Sequence, residues 1–274
     1  KRSLYPKCSE NPSTVKMKYF GYSFIKDLMS AHIFYITAKE LASCAVGSTF
    51  TLTGAEAHHA KVKRLAIGES LDLADGQGCR VHGVVSAISS KGFEVTVQNL
   101  DQDDNSLSVS LVQALAKDNR DILAIETGTE LGIRSVIPWS ADRSIVRWKG
   151  ERATKAHQKW QNTVSAAAKQ SRRALIPTVE ELYSSQELAE HIRELTDQGA
   201  YVYILHEQAT EPLSEYLRKI GYSPDNPTRI YILVGPEGGI TEREIELFTR
   251  AGAHKALLGT EILRASTAGA AALC

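Results

Sequence analysis

Cysteine is scarce in this 274-residue chain, and its four copies, Cys8, Cys44, Cys79 and Cys274, are far apart with no CxxC pair. That spacing argues against a zinc site and against a disulfide framework, so no metal is expected. Free thiols in a reducing cytoplasm are the expected state. No apolar run reaches the roughly 18 residues that span a bilayer, which predicts a soluble protein with no membrane partner. The GxGxxG fingerprint is missing, which makes a nicotinamide oxidoreductase remote. Internal repeats and low-complexity segments are absent too. Net charge is zero, from 32 basic and 32 acidic residues.

The zero hides an uneven distribution. Residues 143–173 hold nine Lys/Arg and one acid, Glu151, while residues 180–215 hold nine acids and one base, Arg193. A basic stretch of this kind suits phosphate, although a solvated helix face gives the same pattern. Residues 1–30 read as an extension outside the fold. Residues 1–28 carry six basic and two acidic residues, with no apolar core of a secretory signal. Met29 would be a natural start for the domain beyond it.

Residues 31–101 read as short strands (His32–Ile36, Ser48–Leu52, Ser70–Ala74, Arg80–Ile88, Phe93–Val97) parted by turn signals, with one helix near Glu56–Leu65. This pattern predicts a small β-barrel. The polar run Asp101–Asn105 marks a boundary. From 106 to 274 apolar strands alternate with helices, which predicts a parallel α/β sheet. The strands are Leu107–Ala114, Ser135–Pro138, Tyr201–His206, Arg229–Val234 and Lys255–Leu258. Helices fall near Arg120–Leu131, Arg152–Arg173, Gln186–Asp197, Leu213–Ile220 and Glu242–Ala251. Ser184-x-x-Glu187 and Thr241-x-x-Glu244 fit capping boxes, and Gly199, Gly221 and Gly252 sit at helix stops.

Four stretches could carry chemistry. Leu233–Thr241 contains Gly235-Pro-Glu-Gly-Gly239 and leaves an apolar strand for a capped helix, the position where α/β sheets gather ligands. An ordinary strand-to-helix turn has the same glycine content. Leu257–Gly269 places Arg264 in an apolar setting, where a guanidinium needs a partner or a ligand anion, before an Ala/Gly run that implies close packing. Lys117 and Arg120 follow the first α/β strand and could hold phosphate or polarise a base. Gln170-Ser171-Arg172-Arg173 ends the basic helix and could bind RNA phosphates. His58 and His59 precede Lys61, Lys63 and Arg64, and read as a solvated or RNA-facing surface.

Together these residues resemble a known family. Gly235–Gly239, Leu258-Gly259, Ile262-Leu263-Arg264 and Thr267-Ala268 look like the donor-binding end of the SPOUT methyltransferases. Lys117–Arg120, Thr129–Gly132, Pro138 with Arg143-Ser144, and Gln170-Ser171 with Arg173 narrow the likeness to the RsmE family, which methylates N3 of a uridine in 16S ribosomal RNA. His59, Arg64-Leu65 and Asp75-Gly76 fit as well. The chain departs from the family's pattern at Ala31-His32, Thr127, Lys169 and Ser266.

The resemblance implies a PUA-like N-terminal β-barrel and a C-terminal SPOUT α/β domain with a deep trefoil knot, in a cytoplasmic homodimer that acts on the small ribosomal subunit. It implies S-adenosyl-L-methionine as methyl donor, contacted by Leu205, Val234, Gly235, Glu237, Gly238, Leu258, Gly259, Ile262, Leu263 and Thr267. Arg120 and Arg264 are the expected catalytic residues. His59, Arg64, Lys117, Gln170, Arg172 and Arg173 are expected to bind RNA. Two other readings stay open: a SPOUT ribose 2′-O-methyltransferase, and a non-catalytic RNA-binding ribosome-assembly protein.

Overall fold

The computed structural model describes residues 31–103, 108–221 and 228–274. The expected extension over 1–30 lies outside them, as do the end of the polar boundary and Leu107. The chain divides into two compact units. Of the described residues, the first holds 31–103 together with Arg172–Ile176, and the second holds the remainder.

In the first unit, β1 (His32–Tyr35), β2 (Thr49–Leu52), β3 (Ser70–Ala74), β4 (Cys79–Ser89) and β5 (Gly92–Gln102) form a curled sheet, a half-barrel of order β1-β3-β4-β5-β2. Alternation buries Val81, Val85, Phe93, Val95 and Val97 against Phe34, Leu52, Leu71 and Leu73. β4 bulges between His82 and Gly83, where a Cβ would stand 2.4 Å from Val95 Cγ1. Two short helices, α1 (Ala38–Ala42) and α2 (Gly54–Val62), flank the sheet. The capping box Thr37–Glu40 that starts α1 escaped sequence reasoning.

β5 runs to Gln102, past the expected Val97. Its polar end is strand because Asp101 and Gln102 pair with Arg80 and Cys79. Cys44 and Cys274 carry free thiols, whereas Cys79 is disulfide-bonded, which corrects the expectation of free thiols there.

The second unit is a parallel sheet between two helical layers. Its strands are β6 (Ser108–Ala114), β7 (Ser135–Ser140), β8 (Thr178–Val179), β9 (Tyr183–Ser184), β10 (Tyr201–Leu205), β11 (Arg229–Val234) and β12 (His254–Ala256), in the order β12-β10-β11-β6-β7-β8 with β9 beside β7. Its helices are α3 (Arg120–Glu130), α4 (Glu151–Gln170), α5 (Ser185–Asp197), α6 (Leu213–Lys219), α7 (Glu242–Arg250) and α8 (Ala265–Leu273). One face of the sheet buries Val112, Trp139, Val202, Ile204 and Leu233 against Leu188 and Ile192 of α5 and Ile245 and Phe248 of α7. On the other face α3, α4 and α8 pack together. Gly269 brings α8 within van der Waals reach of Leu111, where a Cβ would stand 3.0 Å from Cδ1.

Both expected capping boxes form, at Ser184 with Glu187 and at Thr241 with Glu244. The basic helix is shorter than expected. α4 ends at Gln170, Ser171 Oγ donates back to Ala167 O, and Arg172 turns to φ +58°. Arg172 and Arg173 therefore leave the helix and belong to the half-barrel, where Leu175 bridges Gly76. Among the described residues no helix is long and apolar enough to cross a membrane.

Candidate active site

β12, β10, β11, β6 and β7 lie side by side and parallel. The segments leaving their carboxyl ends therefore converge at one sheet edge, where α/β folds bind ligands. They enclose a cavity of about 560 Å³ lined by Arg120, Arg143, Leu205–Gln208, Val234–Ile240, Glu242, Ile262–Ala265 and Ala268. A second chamber of about 100 Å³ shares Leu205, His206, Glu207, Ile262, Leu263 and Ala268 with the first and is bounded by Leu257–Glu261. Ile262 is 83% exposed. An apolar side chain that open at a cavity wall offers surface for a ligand to cover.

The structure brings most of the expected donor and catalytic residues together. Arg120, Leu205, Val234, Gly235, Glu237, Gly238, Ile262, Leu263 and Arg264 line the larger chamber. Leu258 and Gly259 line only the smaller one. Thr267 lines neither: it sits in the first turn of α8, its backbone N–H donating to Arg264 O at 2.8 Å. Lys117 is exposed beside the cavity, and Gln170 is exposed at the end of α4. His59, Arg64, Arg172 and Arg173 belong to the half-barrel. There His59 packs edge-on against Phe34 with ring centroids 5.6 Å apart, and Arg64 is exposed in a left-handed conformation.

The glycines of 235–239 answer first to the protein itself. A Cβ at Gly235 would meet Ile240 Cγ1 at 2.6 Å, and one at Gly238 would meet Arg143 Cβ at 3.1 Å. Gly239 has φ +74°, a conformation that favours glycine. Arg143 closes the arrangement by donating from Nη1 to Gly238 O at 3.0 Å. It was visible in the sequence only as part of the Arg143-Ser144 match.

Across the cavity mouth, Glu237 Oε1 accepts from the Lys117 backbone N–H at 3.0 Å and from Arg120 Nη1 at 3.2 Å. Sequence reasoning also missed His206, Glu207, Gln208 and Glu242 in the lining, because nothing local distinguishes them from loop residues. On α4, Lys155, Gln158, Lys159, Asn162, Thr163 and Ala166 line a shallow depression that continues the basic stretch. Among the described residues no group of three or more His, Cys, Asp or Glu is placed to hold a metal ion.

A PUA-type half-barrel joined in one chain to a parallel α/β unit with a ligand-sized cleft at its carboxyl edge defines the class of RNA methyltransferases. The family model for the RNA methyltransferase domain matches residues 103–274, and that for the RNA methyltransferase PUA domain matches residues 52–98. The chain belongs to the ribosomal RNA small subunit methyltransferase E family, the RsmE family its motifs resemble.

It is 38% identical to the Mycobacterium bovis protein of that name over 89% of this chain and 90% of that one. It is 29% identical to the Bacillus subtilis protein over 80% and 86%. The crystal structure of a ribosomal RNA small subunit methyltransferase E from Neisseria gonorrhoeae bound to S-adenosyl methionine matches with a TM-score of 0.72 at 27% identity, covering 89% of this chain and 95% of that one.

Proposed function

We propose that this protein transfers the methyl group of S-adenosyl-L-methionine to N3 of a uridine in 16S ribosomal RNA. The observation that carries the reading is the convergence of residues 205–208, 234–240 and 257–265 on one two-chambered cleft. Its size falls within the roughly 300–1,000 Å³ of small-molecule sites. Apolar walls at Leu205, Val234, Ile262 and Leu263 suit an adenine ring. Gly259, where a Cβ would meet nothing within 4 Å, leaves the backbone open to approach.

The bound donor supplies an activated sulfonium methyl, so the chain's own work is alignment and charge control. Val234, Gly235, Gly238, Leu258, Gly259, Ile262 and Leu263 would hold the donor. Thr267 would contribute only from the start of α8. The uracil N3–H proton must pass to solvent water for N3 to take the methyl group, and as it leaves negative charge spreads onto the uracil oxygens. Arg120 and Arg264, both on the cavity wall, stabilise that charge as the donors of an oxyanion site do.

His59, Arg64, Lys117, Gln170, Arg172 and Arg173 would contact the RNA, mainly through phosphates. The protein would work in the cytoplasm as a homodimer, and the exposed Leu123 on α3 and Leu131 at its C-terminal cap support such an interface. A trefoil-knotted path belongs to the same reading. It is supported by the return of the chain from edge strand β12 to pack α8 against β11 and β6.

Mass-spectrometric mapping of 16S ribosomal RNA from cells with and without the protein tests the reading. A uridine whose N3-methyl disappears with the protein is the expected result. A missing ribose 2′-O-methyl would move the chemistry to the sugar. Absence of S-adenosylmethionine binding by calorimetry would remove the enzyme.

A further inference from the structure

Glu237 sits in the glycine-rich stretch that the family resemblance assigns to the donor, yet its hydrogen bonds run elsewhere. One oxygen, Oε1, takes both the Lys117 N–H at 3.0 Å and Arg120 Nη1 at 3.2 Å. Lys117 lies in the turn between β6 and α3, and Arg120 is the first residue of α3. That turn is unusual. Asp118 and Asn119 are consecutive non-glycine residues at φ +54° and +58°. Asn119 caps α3 without any side-chain cap bond. Such conformations persist only where surrounding contacts hold them. Here the holds are Glu237 on one side and Lys159 Nζ, 2.7 Å from Asn119 Oδ1, on the other.

We propose that Glu237 is a positioning residue for Arg120, acting on the nucleotide side of the reaction, and not a donor contact. This rests on the methyltransferase reading above. A guanidinium carries five N–H donors in a rigid plane. Glu237 engages Nη1 and so fixes that plane at the cavity wall, leaving Nη2 and Nε for the uracil oxygens. The same carboxylate joins the loop 235–239 to the turn 117–120, so the groups facing donor and acceptor move as one piece. Losing the charge, as in E237Q, weakens the Arg120 bond to that of a neutral acceptor and loosens the guanidinium plane. Losing the acceptor altogether also frees the turn.

The full chain is compared with E237Q, E237A, R120A and R120A/E237Q. E237Q is near-isosteric and keeps an acceptor for Lys117, so its fold is protected. Its kcat is expected to fall about tenfold, with the calorimetric Kd for S-adenosylmethionine within about twofold of wild type. R120A should lose on the order of a hundredfold in kcat. The double variant should be no slower than R120A within about twofold, because residues acting as a unit are not additive.

A second arm needs neither donor nor RNA. Amide exchange at Lys117 should quicken by about tenfold or more in E237A and stay near wild type in E237Q. A tenfold loss of donor affinity in E237Q with kcat kept would return Glu237 to the donor site. Multiplicative losses in the double variant, or unchanged Lys117 exchange in E237A, would also overturn the proposal. An inactive wild type would instead strike the methyltransferase reading, while the exchange arm still reads the tether.

Discussion

Ser185 donates its hydroxyl hydrogen to Glu244 Oε1 across 2.6 Å, with both residues buried. The carboxylate is fully satisfied: Oε1 also accepts the Asp142 N–H at 2.7 Å, and Oε2 accepts the Thr241 N–H at 2.9 Å and its hydroxyl at 2.8 Å. Trp139 Nε1 in turn donates to Ser185 Oγ at 3.1 Å. A buried charge is tolerable only with such partners. This one holds the start of the β7–α4 connection, so it fixes Arg143, the next residue along, against Gly238.

Glu244→Gln should therefore cost about 3–5 kcal/mol, because an amide nitrogen in place of either oxygen would face two of the four donors and leave at least one unpaired. All three tryptophans lie in the α/β unit, so their fluorescence during urea unfolding reports on that unit alone. A loss below about 1 kcal/mol would show that the carboxylate does not hold the loop.

Gly235→Ala tests the close approach in the same region. The added methyl would sit 2.6 Å from Ile240 Cγ1, near the stem of a buried side chain and not at a flexible tip. Overpacking of this kind costs about 1–3 kcal/mol, and donor affinity should fall with it. Wild-type stability and wild-type calorimetric affinity together would mean that the loop adapts freely.

These two cases show what the sequence made visible. Glu244 was legible as a capping-box residue because its partner lies three positions away. Its ties to Ser185 and Asp142 were not, since they depend on how β7 and α5 are placed against α7. The cleft was legible in outline, because apolar strands followed by glycine-rich turns place ligand loops at one sheet edge. Arg143, Gln208 and Glu242 were not, as loop residues join a cleft only through strand order. The end of α4 was misjudged for a similar reason. Nothing local marks Arg172 as left-handed, and the contacts that hold residues 172–175 come from Asp103 and Gly76.

Arg264→Ala should separate chemistry from folding. Among the described residues the Arg264 side chain makes no hydrogen bond or ion pair, although its carbonyl accepts from Thr267 and Ala268. Stability should stay within about 0.5 kcal/mol of wild type, while turnover falls about 100- to 1,000-fold. Unchanged turnover on ribosomal RNA would remove Arg264 from the mechanism.

Replacing Arg172 and Arg173 by Gln should weaken RNA binding and flatten its salt dependence. For every phosphate that the variant no longer neutralises, the slope of log affinity against log salt should fall by roughly 0.7–0.9. Fluorescence anisotropy at several salt concentrations measures it. An unchanged slope in the double variant would place the RNA elsewhere, and the α4 surface around Lys155 and Lys159 would be the next to test.

The half-barrel should lose stability as pH rises above neutrality, and His82 is the reason. Its Nδ1 lies 2.7 Å from Asp72 Oδ1, while Asp72 Oδ2 takes Arg80 Nη1 at 3.0 Å. Arg80 Nη2 reaches Asp103 Oδ1 at 2.9 Å, and Asp103 Oδ2 accepts the Ala174 and Leu175 amides. The hydrogen bond to Asp72 raises the His82 pKa above its ordinary 6.5, against the opposing effect of burial; the charge of Asp72 also raises it, Arg80 lowers it and Asp101 raises it. A group whose folded pKa lies above its unfolded value stabilises fully below the unfolded value. That contribution is then lost as pH climbs through the folded one. Calorimetric melting should therefore show a decline beginning near pH 6.5 and continuing upward, and His82→Gln should flatten it. A wild-type profile level across that window, or the same decline in the variant, would mean that the imidazolium adds nothing to the clamp on residues 172–175.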